Sequence, residues 1–232
     1  MKAAIMQPYF FPYIGYFQLI KAVDSFILCD NLQFTKKSWM TRNRFLLNGK
    51  DSFFMIPVRA DDQTKQIRQR ELAADYNPQK LLRSLQAAYK KAPFFKDTVP
   101  LIEKALTFPG RNLFEFLYNS ILETCRHLLI NTPFSKSSEY PVNEYLHKEE
   151  RVIAICKSSE ADTYINPIGG TSLYSKERFL KEGLTLQFLQ SDPIHYRQFE
   201  NAFVPQLSIL DVLMFNSKET ITDYLNHHYS LV

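Results

Sequence analysis

Arg42, Asn43 and Arg44, preceded by Lys36 and Lys37 with Trp39 between, form the stretch of this chain best equipped to hold an anion. Two guanidiniums can grip a phosphate or carboxylate bidentately, and an indole adds a stacking face. The competing reading is a solvated basic hairpin edge that discourages strand pairing. A second candidate is the opening run Gln7-Pro8-Tyr9-Phe10-Phe11-Pro12-Tyr13-Ile14-Gly15-Tyr16. Six aromatic residues fall from Tyr9 to Phe17 inclusive, more than a tight loop needs for folding. They read either as a stacking surface beside an anion site or as rings plugging the end of a sheet. A third is Asn166-Pro167-Ile168-Gly169-Gly170-Thr171-Ser172-Leu173-Tyr174, a glycine turn that can present backbone N–H groups to an anion or serve as an ordinary strand-to-helix turn.

The elements that must position these residues follow from pattern. Lys2–Met6 predicts a short apolar strand, Phe17–Val23 a helix and Asp24–Asp30 a second strand, a βαβ unit that opens an α/β domain. In such sheets ligands lie beyond the carboxyl ends of the strands. That places Asp30 and Gln7 together as a polar pair facing the substrate, the catalytic candidates. Phe45-Leu46-Leu47, Asn48-Gly49-Lys50 and Ser52–Val58 predict a hairpin, and residues 59–75 are charged and irregular, reading as a mobile segment. Residues Asn77–Ile130 carry three helical apolar patterns, the second set by Val99, Leu101, Ile102, Ala105 and Leu106. A helix over Glu144–Ser159, a strand at Asp162–Ile168, a helix over Lys176–Lys181 stopped by Gly183, and a strand at Leu184–Leu189 restore the α/β pattern. Ser208-Ile209-Leu210-Asp211 has capping-box spacing, and His227-His228 closes a terminal helix. The fold class is α/β, a Rossmann-like, parallel-containing sheet, with residues 1–75 and 135–232 as its core and 76–134 as a helical insertion or subdomain.

Pro12-Tyr13-Ile14-Gly15-Tyr16 has the spacing of the His-x-Gly-His signature of HUP-class nucleotidyltransferases, with tyrosines in place of both histidines. A tyrosine can donate a hydrogen bond but brings no cation, which argues against adenylyl transfer within a HUP-like shape. From Gln7-Pro8 to Ser208-Ile209-Leu210-Asp211 the chain resembles the WbqC-like proteins, found among bacterial surface-polysaccharide genes. The resemblance matches the Arg-Asn-Arg run after Asp30 and Gln33, the serine pair in Ser135-Lys136-Ser137-Ser138-Glu139, and the glycine turn ending at Tyr174. It adds Ser137, Ser138, Asn166, Gly169, Gly170 and Tyr174 to the substrate-binding candidates Tyr13, Gly15, Tyr16, Lys36, Trp39, Arg42, Asn43 and Arg44.

Composition bounds what these groups can do. The 28 basic and 24 acidic side chains give a formal charge of +4, which suits an anionic small molecule and does not call for nucleic acid. No apolar run approaches a membrane span, and the start is broken by prolines and a glycine, so a cytoplasmic protein without a signal peptide is expected. Cys29, Cys125 and Cys156 are widely spaced, none of the five histidines has metal-ligand spacing, and no metal or cofactor is assigned. No GxSxG elbow, P-loop or GxGxxG is present. His195 is the one histidine placed as an acid or base, with a structural hydrogen bond in a loop as the alternative. Together with the resemblance, these features imply a cytoplasmic enzyme acting on a nucleotide-linked or phosphorylated substrate, a nucleotide sugar, by group transfer in surface-polysaccharide biosynthesis. The alternative is a non-catalytic glycan- or protein-binding module. Oligomeric state is left open.

Overall fold

The computed structural model describes residues 1–143, 145–200 and 202–232. In chain order the elements are β1 (Lys2–Met6), α1 (Ile14–Lys21), β2 (Ser25–Leu28), β3 (Arg42–Leu47), β4 (Lys50–Met55), α2 (Pro78–Tyr89), α3 (Phe95–Leu106), α4 (Leu113–His127) and β5 (Phe134–Lys136), then α5 (Lys148–Ser158), β6 (Thr163–Pro167), α6 (Lys176–Lys181), β7 (Thr185–Ser191), α7 (Ile209–Phe215), α8 (Lys218–His227) and β8 (Tyr229–Leu231). Six strands make one sheet in the order β5-β2-β1-β6-β7-β8, parallel throughout except for the antiparallel β7–β8 pair. This is a Rossmann-like α/β fold. β3 and β4 pair separately as a hairpin.

Strand alternation sorts the core. Ala4, Phe26 and Leu28 join one apolar cluster with α1, the three helices α2–α4, α7 and α8. Ala3, Ile5, Ile27 and Cys29 point the other way, into a cluster with α5 and α6. From β1 the chain leaves through α1 on the first face, and from its neighbour β6 through α6 on the second. Adjacent strands feeding opposite faces leave a crevice at their carboxyl ends.

Local chemistry sets the boundaries. Asn48 and Gly49 take φ values of 52° and 76°, the left-handed pair that a two-residue hairpin turn requires. Asn77 caps α2 at the Lys80 N–H with Pro78 in the first turn, and Asn112 caps α4 at the Glu115 N–H. Gly183, at φ 77°, ends α6 in the left-handed region.

Several boundaries differ from the sequence expectation. α1 begins at Ile14 rather than Phe17, because Tyr13 is its N-cap and Gly15 is accommodated inside it. α3 begins at Phe95 and runs through Pro100 in its second turn, which cannot donate to the Lys96 carbonyl. Arg42 to Arg44 belong to strand β3 itself. β5 and β8 were unforeseen; each is three residues long, too short for an alternation pattern to register. The expected helix start at Glu144 lies outside the described residues, and α5 runs from Lys148. The charged segment 59–75 is organised around Arg70, 1% exposed, which donates to the carbonyls of Asp62 and Arg59 and lies 4.8 Å over the Phe34 ring.

All three cysteines are buried and free, and burial pushes each thiol up to about 12. A thiolate-selective reagent at about pH 8 should therefore leave the native protein unmodified and label every cysteine after unfolding. Rapid labelling of the native chain would contradict the buried placement.

Candidate functional site

A cavity of about 510 Å³ opens where the fold predicts a crevice, at the carboxyl ends of β1, β6 and β7. Met6, Pro167 and Leu189 mark those strand ends; the first loop, the start of β3 and the segment after β7 form its walls. Its size is that of a small-molecule site.

The aromatic loop divides in two. Phe10 and Phe11 are fully buried in the core, whereas Tyr9, Tyr13 and Tyr16 line the cleft. Phe11 sits at φ 43°, a strained conformation for a bulky residue. Its carbonyl is held by Asn43 Nδ2 at 2.7 Å and Ser208 Oγ at 2.7 Å, and Asn43 also donates to the Phe10 carbonyl at 3.1 Å. The Phe10 N–H donates to Trp39 O, the Ile209 N–H to Pro12 O, and the Ser208 N–H to Arg44 O. The hairpin and the start of α7 thus clamp the loop from both sides.

Tyr16 spends its hydroxyl on the Gln7 carbonyl at 2.9 Å. Burial pushes the phenols of Tyr9, Tyr13 and Tyr16 up, so they remain neutral donors. A Cβ on Gly15 would meet Ser191 Oγ at 2.5 Å, so this glycine lets the end of β7 approach α1. In the first turn of α1 the Tyr16 N–H bonds to the Tyr13 carbonyl at 3.0 Å, and the N-cap Tyr13 offers no side-chain cap to the others.

The basic segment divides as well. Arg44 lines the cleft, its Nη2 donating to Gln206 O at 2.9 Å and its Nη1 3.3 Å from Asp51. Arg42 lies outside the cleft lining, its guanidinium 5.9 Å from the Trp39 ring and 5.2 Å from the Phe53 ring. Lys36 is exposed and also outside the lining.

Asp30 and Gln7 do not line the cleft either. Asp30 is 3% exposed, and its oxygens accept from Ser137 Oγ at 3.0 Å, the Ser138 N–H at 3.0 Å and Ser138 Oγ at 2.6 Å. The serine pair therefore fastens the turn after β5 to the end of β2. Asn31 Oδ1 extends this cluster, accepting from Ser137 Oγ and from the buried Arg151. Near the end of β6, Asn166 accepts from the Tyr164 hydroxyl and donates to the Pro167 carbonyl. A Cβ on Gly170 would collide with Asn166 Nδ2, whereas one on Gly169 would meet open space. Tyr174 packs edge-on against Tyr164 and Phe179.

Of the residues singled out in the sequence, the structure brings Tyr13, Gly15, Tyr16, Trp39, Asn43 and Arg44 together. Asp30, Ser137 and Ser138 form a separate cluster. Asn166, Gly170 and Tyr174 shape the turn after β6.

The wall supplied by Ser191, Asp192, Tyr196, Phe203 and Gln206 escaped sequence reading. Its position directly after β7 was the available clue. His195 lies on this wall, exposed, with its ring 4.8 Å from Phe203. Behind the wall stands Asp211, fully buried. It accepts from Tyr89 OH at 2.8 Å, Tyr196 OH at 2.7 Å and Gln198 Nε2 at 2.6 Å. The expected capping box does not form: Ser208 Oγ accepts from the Leu210 N–H, and the Asp211 carboxylate turns inward to these donors.

A family model described as the WbqC-like protein family matches residues 7–223, which takes in the loop, the hairpin, the helical stretch and both walls of the cleft. This chain belongs to the WbqC-like family. A relative of this WbqC-like chain, the uncharacterized protein Rv1507c of Mycobacterium tuberculosis, is 28% identical over 229 residues, 97% of this chain and 98% of that protein. No solved structure matches. Among the described residues no helix is long and apolar enough to cross a membrane, and no group of His, Cys, Asp and Glu could hold a metal ion.

Proposed function

We propose that this WbqC-like chain is a cytoplasmic enzyme whose cleft takes a nucleotide-linked or phosphorylated substrate, a nucleotide sugar, for group transfer in surface-polysaccharide assembly. The observation that carries the reading is the coincidence of an aromatic-lined cleft with the switch point of a Rossmann-like sheet, Arg44 in its lining. Arg44 and the Ile14 and Gly15 N–H groups at the start of α1 supply the positive partners for an anionic oxygen. Tyr9, Tyr13, Tyr16 and Trp39 stack on the substrate and exclude water. Transfer to an acceptor hydroxyl or amine needs a base for its proton, and His195 is the group of the cleft suited to it. Tyr13, Gly15, Tyr16, Trp39, Asn43 and Arg44 are the binding set in this proposal. Asp30 acts at a distance, fixing the turn at Ser137 and Ser138.

Arg44→Ala should weaken binding of such a ligand by about 1.5–3 kcal/mol, the range of a charge-assisted hydrogen bond, with little change in stability. Isothermal calorimetry checks this, and unchanged affinity would remove Arg44 from the site. Differential scanning fluorimetry across nucleotides and nucleotide sugars tests the wider reading. A true ligand at 100 times its Kd stabilises by about 2.7 kcal/mol. For a chain of this length that moves the midpoint by about 5–10 °C. No shift with any of them would count against the reading. The second reading, a glycan-binding module without catalysis, is favoured by the predominance of aromatic over charged lining. Binding without consumption of a nucleotide sugar in the presence of acceptors would decide for it.

A further inference from the structure

We infer that the part of the substrate held among the rings of the cleft is an uncharged sugar ring, with its hydroxyls bonded to Asp192 and its anionic group held at Arg44. This rests on the reading of the cleft as the substrate site. Among the described residues the charges lining the cleft are one arginine and one aspartate, with His195 beside them. Arg44 is partly committed already, to Asp51 at 3.3 Å and to the Gln206 carbonyl at 2.9 Å. A diphosphate among the rings would meet only a cation that is already partly committed, in a lining that also holds Asp192.

The backbone points the same way. Dinucleotide folds place glycines after the first strand so that a pyrophosphate can approach the main chain. Here that segment carries Pro8 and Pro12, and the bare face of Gly15 is taken by Ser191 Oγ. The glycine cradle that a pyrophosphate uses in those folds is not built by this segment. Instead Tyr9, Tyr13, Tyr16, Trp39, Tyr196 and Phe203 surround the space with ring faces and edges. Such rings accept the C–H faces of a pyranose. An exposed carboxylate, an acceptor only, matches the donors of neighbouring hydroxyls.

Trp39 is the only tryptophan of the chain and lines the cleft, so its emission reports occupancy. The full-length protein would be titrated with a panel of neutral methyl pyranosides, with inorganic pyrophosphate and with nucleoside monophosphates. The expected result is a saturable change with at least one pyranoside, weakened about tenfold or more in Asp192→Ala, as loss of a charge-assisted hydrogen bond predicts. Asp192 is exposed, so the variant keeps the fold, which circular dichroism verifies. A pyranoside response untouched by Asp192→Ala overturns the assignment. So does a response to pyrophosphate or monophosphates with none to any pyranoside, and that outcome leaves the phosphorylated-substrate reading standing. Silence with every probe overturns both.

Discussion

Replacing Asp211 with alanine should cost about 3–5 kcal/mol of stability, among the largest losses available to a single substitution in this chain. The carboxylate is fully buried and satisfies three donors at once: the hydroxyls of Tyr89 and Tyr196 and the amide of Gln198. Tyr89 in turn accepts the Leu46 N–H at 2.9 Å, and Gln198 holds Val204 through both its N–H and its carbonyl. Deleting the carboxylate strands these donors away from water and loosens β3 from α2 and the post-β7 wall from α7. Urea denaturation of the variant measures the loss, and a change under 1 kcal/mol would mean that water replaces the carboxylate at little cost.

The same residue gives a signed pH dependence. Burial raises the Asp211 carboxyl above its ordinary value, and the three donors pull against that shift without cancelling it. A raised native value means that its contribution is fully present below the ordinary carboxylate range, and is lost as the pH climbs through the native value. The stability advantage of the wild type over Asp211→Ala should therefore be widest in acid and narrow as the pH rises. The difference removes the titration of Asp61, Asp62 and Asp162, whose carboxyls are lowered by their own hydrogen bonds and are common to both proteins. An advantage that widens with pH would reverse the sign.

Asn43→Ala should cost about 2–4 kcal/mol and weaken ligand binding as well. Asn43 is 5% exposed, bonds the carbonyls of Phe10 and Phe11 and accepts the Arg44 N–H at 2.8 Å. It is the brace that keeps Phe11 at its positive φ, and so aims Tyr9 and Tyr13 into the cleft. Without it the loop can relax toward an ordinary conformation. Denaturation curves and calorimetry on the same variant separate the two effects. A variant with lowered stability and wild-type affinity would show that the loop geometry is irrelevant to the ligand.

What the sequence made legible follows from physics of short range. The first βαβ unit, the Asn-Gly hairpin and the Gly183 helix stop announce themselves through local rules, and the structure realises each of them. Reading the loop and the basic hairpin as one cleft put Gln7, Tyr13, Tyr16 and Asp30 around it; Tyr13, Tyr16 and Arg44 line it, whereas Gln7 and Asp30 do not. Three things were not legible. Which aromatics face the cleft depends on packing: Phe10 and Phe11 turn inward while their tyrosine neighbours do not. Asp30 looked free in the sequence, yet Ser137 and Ser138, more than a hundred residues away, occupy its oxygens. The wall after β7 carries no motif, and only the strand order β2-β1-β6-β7 puts it opposite Tyr13.

The central claim is that the substrate sits at the ends of β1, β6 and β7. Photolabelling the intact protein with a nucleotide sugar carrying a diazirine on its sugar ring, then mapping the modified peptides, tests that placement most directly. The account predicts adducts on the segments that hold Tyr9 to Tyr16, Trp39 to Arg44 and Ser191 to Gln206, lost when unlabelled ligand competes. Competed adducts on Asn31, Ser137, Ser138 or Arg151 instead would contradict it and move the site to the polar cluster at the end of β2.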